Sequence, residues 1–376
     1  MDFYSIASGS SGNCIYIGTD HSSVLIDAGI SCKRITDALR DIDRSVQDLT
    51  AILVTHEHSD HIAGLGVLLR KAHVPVYATQ ATIRQILRYA PLGKVDEELF
   101  CPIDADQPFM IGDMKAEAFH ISHDAADPVS YRIEAEGSSC AVATDMGCFN
   151  RYTVNHLRNL DTILIEANHD ERMLQAGPYP WPLKRRILGE KGHLSNTSSA
   201  MLLAQVLHDD MKAVFLGHLS KMNNYPDLAY ATVISEMAMD PGCHYKEGDI
   251  PIYVASREHP MEKLVLSRNQ KREGARSPET AQKGTTMKKV IITVIGKDTV
   301  GIIAKVCSYL ADHNVNILDI SQTIVGGYFN MMMVTDPTAS TVEAGQMSDD
   351  LTALGEGMGL DIRVMGEDIF NAMHRV

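Results

Sequence analysis

The sequence predicts an α/β protein in two units: a layered α/β unit over residues 1–267 and a smaller strand–helix–strand–strand–helix–strand unit over residues 288–376, joined by a flexible linker at 268–287. Three observations carry this reading. Short, continuous apolar runs alternate with helix-patterned segments through the first unit, as expected of strands buried in large sheets and covered by helices. The stretch around 268–287 is polar, basic and nearly devoid of large apolar residues, so it cannot bury a core. At Met287-Lys288-Lys289 a fresh pattern opens, like the start of an independent protein, and 376 residues exceed the size at which one core usually keeps growing. The chain reads as two formerly separate reading frames joined end to end.

In the first unit the strand-like runs fall at 14–17, 23–26, 51–55, 76–78, 129–133, 140–144, 162–166 and 213–216. Helical candidates lie between them at 33–41, 63–72, 79–89, 150–158 and 197–207, the last with Asn196-Thr197-Ser198 as its N-terminal cap. In the second unit, 290–295 is apolar and β-branched, and 300–313 has helical spacing with Ile303, Val306 and Leu310 on one face. Residues 315–325 and 330–335 form a hairpin around Gly326-Gly327, 342–354 is a second helix, and 361–364 opens the last strand. That order is the ferredoxin-like βαββαβ plan. Within it, Met331-Met332-Met333 reads as core strand.

An apolar fraction of 45% with 22% charged residues is ordinary for a globular chain. The formal charge of −14 argues against a broad basic surface that grips nucleic acid by charge alone. Nucleic acid stays in play, because two bound dications would add about four positive charges where phosphates sit. The seven cysteines are scattered without a CxxC pair, which points to reduced thiols and a cytoplasmic setting. No basic-then-apolar leader opens the sequence. No apolar run approaches the roughly 18 residues of a membrane helix, so no membrane partner is expected.

The segment LVTHEHSDH at 53–61 is the most informative. A strand leads straight into a loop carrying His56, His58, Asp60 and His61, four ligand-type side chains within six positions. Imidazole suits zinc, iron and manganese, and a carboxylate adds a hard, bridging oxygen. His56 and His58 are two residues apart, so an extended backbone points them the same way. The turn through Asp60-His61 can then serve a second ion.

This HxHxDH arrangement resembles the metallo-β-lactamase superfamily, which implies an αββα sandwich and further ligands downstream. The resemblance assigns His123, in FHISHD, to the first ion with His56 and His58. It makes Asp145, in ATDMG, a bridge, and His218, in LGHLS, a ligand of the second ion with Asp60 and His61. His120 also qualifies by type, but HDAADPVSYRI matches the family segment at His123. FYSIASGSSGNCIYI, VLIDAGIS, EANHD, GPYP, LKRRI, GHLSN and HLSKMNN resemble the YycJ (WalJ) branch of small nucleases of this fold. That implies a 5′ to 3′ exonuclease on double-stranded DNA, with two zinc or manganese ions (iron a further candidate). Two such ions supply a hydroxide nucleophile and stabilise charge on a phosphoryl group. Lys184, Arg185, Arg186 and Lys191 are then candidate DNA-backbone contacts, with His193 and Asn196; a solvated basic helix end is the competing reading. Asp60, His193 and His169 are the catalytic candidates, the two histidines for phosphate contact or for protonating the leaving oxygen. Gly9 to Asn13 reads as a hairpin turn.

In the second unit, GKDTVG at 296–301 and NVNI at 314–317 resemble the ACT domain. The resemblance implies pairing as a homodimer and, in many such families, an amino-acid ligand at this first turn, here on Asp298, Gly301 and Asn316. A turn that merely caps a helix is an equal reading. Two rival functions stand beside the exonuclease. One is a hydrolase of small esters, thioesters or lactones on the same fold. The other is a regulatory protein whose main output is ligand binding by the ACT unit.

Overall fold

The structure, a computed structural model, describes residues 1–266 and 290–366 apart from 298, 326, 327, 339 and 343. The chain divides into two compact units, Met1–Glu273 and Gly274–Val376. The expected linker at 268–287 and the Gly326-Gly327 turn lie outside the described residues.

The first unit holds two seven-stranded sheets. One contains β1 (Asp2–Ala7), β2 (Cys14–Gly18), β3 (Ser23–Ile26), β4 (Ala51–Leu53), β5 (Val76–Thr79) and β6 (Phe100–Ile103). The other contains β7 (Phe109–Ile111), β8 (Met114–His120), β9 (Val129–Ala135), β10 (Ser138–Ala143), β11 (Thr162–Glu166), β12 (Ala213–Gly217) and β13 (Ile252–Val254). A short β14 (Leu264–Val265) closes the edge of the first sheet beside β1.

The continuous apolar runs are explained by burial of both strand faces. Ile15, Ile17, Val24 and Ile26 from the first sheet meet Cys140, Val142, Leu164 and Phe215 from the second, forming the inner core. Their neighbours Tyr16 and Leu25 turn outward onto helices Cys32–Asp41 and Leu65–Lys71. Ala141, Ile163, Ile165 and Leu216 turn onto helices Arg151–Leu157, Asn196–Val206 and Pro226–Met239. Period-two alternation with apolar residues on both sides gives the αββα layering. The expected cap at Asn196 is corrected by one residue: Ser195 caps, its Oγ accepting the Ser198 N–H at 3.1 Å, a bond worth about 1 kcal/mol.

The second unit is a four-stranded antiparallel sheet of β15 (Val290–Lys297), β16 (Asn316–Val325), β17 (Tyr328–Asp336) and β18 (Leu360–Gly366), in the order β16-β17-β15-β18. Helices Ile302–Asp312 and Ala344–Glu356 complete the βαββαβ plan. Met331 and Met333 are fully buried with Val306, Leu310 and Leu351. Among the described residues no helix is long and apolar enough to cross a membrane. All seven cysteines are free.

Candidate metal centre

Strands β3 and β4 run parallel in one sheet, as do β10, β11 and β12 in the other. Ligand-type side chains stand at or just past their C-terminal ends: Asp27 after β3, His56 and His58 after β4, Asp145 after β10, Glu166 at the end of β11, and His218 after β12. Asp27, Asp145 and His218 have left-handed backbones, with φ of 61°, 61° and 55°. A non-glycine residue in that region costs on the order of 1–3 kcal/mol, and such strain collects at functional sites. Here it turns the chain so that three side chains face one place.

The seven residues predicted as metal ligands converge. His58 Nδ1 lies 3.1 Å from His56 Nε2 and 3.2 Å from His123 Nε2, close to the roughly 3.3 Å expected of imidazole nitrogens sharing a tetrahedral ion at bond lengths of about 2.0–2.1 Å. Asp60, His61 and His218 form a second group, with Asp60 Oδ2 at 3.7 Å from His61 Nε2 and 3.5 Å from His218 Nε2. Asp145 stands between the groups. Its Oδ1 is 3.8 Å from His123 Nε2 and 3.5 Å from His218 Nε2, and its Oδ2 is 3.2 Å from His61 Nε2. That Oδ2 is buried yet makes no hydrogen bond. An orphaned carboxylate oxygen among imidazoles is a donor set suited to zinc, manganese or iron.

A further layer of contacts fixes the rings. His61 Nδ1 donates to Asp27 Oδ2 at 2.7 Å, and Thr55 donates to Asp27 through both its N–H and its Oγ1. His218 Nδ1 and His193 Nδ1 both donate to Glu166 Oε1 at 2.8 Å. The Met146 and Leu194 N–H groups donate to Glu166 Oε2. His123 Nδ1 donates to Gly192 O at 3.1 Å. With the Nδ1 of His61, His123 and His218 engaged, Nε2 is the nitrogen that each turns to the cluster, whereas His58 offers its Nδ1. Gly29 is required beside it, because any Cβ there would overlap the carbonyl of Asp60.

Asp27 and Glu166 were missed by the sequence reading. Each is a carboxylate at the end of an apolar run, in VLID and TILIE, as Asp145 is in AVATD.

The two groups differ in charge. Burial, followed by the neighbouring His61, pulls His56 well below the usual imidazole range, and burial also lowers His123 despite Asp145. Burial opposes charge on His61 too, but Asp27, Asp145 and Asp60 outweigh it and hold the ring protonated well above the usual range. His218 behaves likewise: Asp145, Asp60 and Glu166 override burial and raise it to about 10. Against burial, His218 and His61 keep Asp145 ionised well below the carboxylate range. The cluster therefore gathers positive charge, which a dication would supply in place of protons.

Other predicted residues sit differently. His193 is 16% exposed and stands with Asp145, Glu166 and His218. His169 is set apart from the ligand groups: it is buried, neither ring nitrogen has a partner, and burial, only partly offset by Glu166, pushes it down to about 4. His120 is exposed and beside Asp127.

The expected basic surface is corrected in part. Lys184 is buried and donates to Gln175 O at 2.6 Å, and Asn196 is buried against Asn224. Both side chains are consumed inside the fold. Arg186 pairs with Asp124 at 2.5 and 2.9 Å, whereas Arg185 and Lys191 are exposed. The hairpin turn at Gly9 to Asn13 joins β1 to β2, and Asn13 Nδ2 reaches His61 Nε2 at 3.1 Å. In the second unit Gly301 precedes helix Ile302–Asp312 with φ of 96°, Asn316 is exposed at the start of β16, and Asp298 lies outside the described residues.

Residues 22–218 match the model of the Beta-lactamase superfamily domain, and residues 288–365 match the ACT domain. The chain is 44% identical over 236 residues to the exodeoxyribonuclease WalJ of Streptococcus pneumoniae, covering 62% of this chain and 88% of that protein. Its C-terminal part is 57% identical over 90 residues to a UPF0237 protein of Bifidobacterium longum, covering 24% of this chain and all of that one. The crystal structure of Zn(2+)-bound PqqB from Methylobacterium extorquens shares the fold of the first unit, with a TM-score of 0.52 at 16% identity, covering 70% of this chain and 100% of that one. The fold implies divalent-metal binding, and the histidine and carboxylate groups are its candidate ligands. The chain thus belongs to the β-lactamase superfamily, in the family of WalJ, and carries an ACT domain after it.

Proposed function

We propose that the first unit is a two-metal exodeoxyribonuclease acting 5′ to 3′ on duplex DNA. His56, His58 and His123 would hold one divalent ion and Asp60, His61 and His218 the other, with Asp145 shared. The observation that carries this is Asp145: a buried, ionised carboxylate within 4 Å of imidazoles from both groups, with one oxygen lacking any hydrogen bond. DNA as substrate is supported by the 44% identity to an exodeoxyribonuclease. Manganese or zinc fits the donor set.

When bound, such ions supply a nucleophile from water near neutral pH and stabilise charge on the phosphoryl group. The chain's residues position and protonate. Asp27 and Glu166 lock the imidazoles of His61 and His218 in place. Burial opposes a proton on His193, but Glu166 and then Asp145 override it and raise the ring above its usual range, which favours the protonated form that can donate to the leaving oxygen. Arg185 and Lys191, both exposed, attract the DNA backbone. The second unit serves as a regulatory module, binding an amino acid at the turn of Asp298, Gly301 and Asn316 or pairing two chains.

The test is an assay on end-labelled duplexes with Mn²⁺, Zn²⁺ and Mg²⁺, with a thioester as the competing substrate. Mn²⁺-dependent loss of the 5′ label that disappears in Asp60→Ala is the expected result. Degradation by a metal-depleted Asp60→Ala protein, or hydrolysis of the thioester alone, contradicts it.

A further inference from the structure

We propose that Arg257 is a phosphate-binding residue that grips the substrate strand beside the metal centre. This rests on the exodeoxyribonuclease reading and adds to it a residue that neither the motifs nor the ligand cluster singled out. After β13 the chain runs through Ala255-Ser256-Arg257-Glu258-His259, and its backbone is held from several sides. Ala255 N–H donates to Leu216 O and Ser8 N–H to Ser256 O. Ser256 Oγ accepts the N–H groups of Glu258 and His259 at 3.1 and 3.2 Å. Arg34 Nη2 donates to the carbonyls of Arg257 and Glu258 at 2.9 and 3.1 Å. A loop fastened this way holds its side chains at fixed positions.

The position is close to the chemistry. Ser8, which anchors Ser256, also accepts the His218 N–H on its Oγ at 2.9 Å. The Arg257 side chain lies flat on Gly9, so close that any Cβ at residue 9 would collide with its Cγ and Cδ. Gly9 belongs to the turn whose Asn13 touches His61. A cavity of about 290 Å³ opens here, walled by Leu219, Pro226, Ser256, Arg257, Glu258 and His259. Leu219 directly follows the ligand-type His218.

Within this setting Arg257 Nη1 is buried and has no hydrogen-bond partner. Leaving a charged donor desolvated and unpaired is costly, so a native structure that keeps one calls for a partner from outside the chain. A guanidinium fork matches the oxygens of a phosphate better than any other side chain does. Lys184 and Arg186, two of the four cations that the sequence offered for this task, are already engaged by Gln175 and Asp124. Arg257 has a donor still to give, and it sits in the loop fastened to the His218 turn.

The experiment measures steady-state degradation of end-labelled duplexes with Mn²⁺ over a range of salt, for 5′-phosphoryl and 5′-hydroxyl ends. Arg257→Gln is expected to raise KM about tenfold and to lower the slope of log KM against log salt by about one. Arg257→Lys falls between it and the wild type. Gly9→Ala keeps the charge but displaces the guanidinium, so it raises KM as well. The Gly9→Ala/Arg257→Gln double variant is no worse than Arg257→Gln alone, because the two changes remove one interaction. If the effect is confined to 5′-phosphoryl ends, the phosphate is the terminal one; if it appears with both ends, it is internal. Wild-type KM and salt slope in Arg257→Gln, or a loss that falls on kcat alone, overturns the assignment while leaving the nuclease intact. Absence of DNA degradation by the wild type sinks the exodeoxyribonuclease reading instead.

Discussion

The two halves of the metal centre are built from different materials. The first group is three imidazoles, supported by neutral partners: His123 leans on the Gly192 carbonyl and His56 on the Thr55 hydroxyl. The second group pairs Asp60 with two imidazoles, each backed by a buried carboxylate, Asp27 behind His61 and Glu166 behind His218. A carboxylate behind an imidazole makes it a stronger donor to metal and also a stronger base toward protons. His56 and His123 of the first group are therefore neutral and ready for an ion, while His61 and His218 of the second hold protons that an ion must displace.

The largest expected effect comes from removing what the halves share. Asp145→Ala should lower DNA degradation by about three orders of magnitude and strip both ions, as read by plasma mass spectrometry. Full metal content in that variant would mean that the halves are independent. A smaller change should separate them. Glu166→Gln should weaken the second group by about 10–100-fold and leave the first alone, seen as one shifted phase of two in a chelator competition. Equal weakening of both phases would break the comparison.

The smallest effect is a count of protons. In the metal-free protein, His61 and His218 stay protonated above the usual imidazole value of 6.5, His218 up to about 10. His56 and His123 are shifted down and are neutral above 6.5. Filling the second group at pH 7–8 should thus release about two protons, and its affinity should climb with pH toward that upper value. Filling the first should release fewer, because His56 and His123 have no proton to give up there. Calorimetry in buffers of different ionisation heat reads both, and equal release from the two groups would contradict the assignment.

What the sequence made legible follows the range of the interactions involved. The loop ligands His56, His58, Asp60 and His61 are adjacent in sequence, so their spacing is visible directly. Asp145 and His218 were legible because the resemblance that the HxHxDH loop carries calls for ligands downstream, and each stands in order just after an apolar run. Asp27 and Glu166 carry the same mark but were passed over, since their work is to hold rings 34 and 52 residues away. Lys184 and Asn196 show the converse. Charge and polarity can be read in a string, but burial against Gln175 or Asn224 cannot. Arg257 lay outside every motif, and only the fold sets it on Gly9 beside His218. In the second unit the strand and helix order was legible from the β-branched run at 290–295 and the helical spacing at 300–313, whose Val306 and Leu310 are buried with Met331 and Met333.

The most direct test of the account is anomalous diffraction from crystals of the full chain grown with Mn²⁺. Two peaks are predicted, one among His56, His58 and His123 and the other among Asp60, His61 and His218, with Asp145 between them. A map with no peak at these side chains, or with one group filled and the other bare at saturating metal, would contradict it.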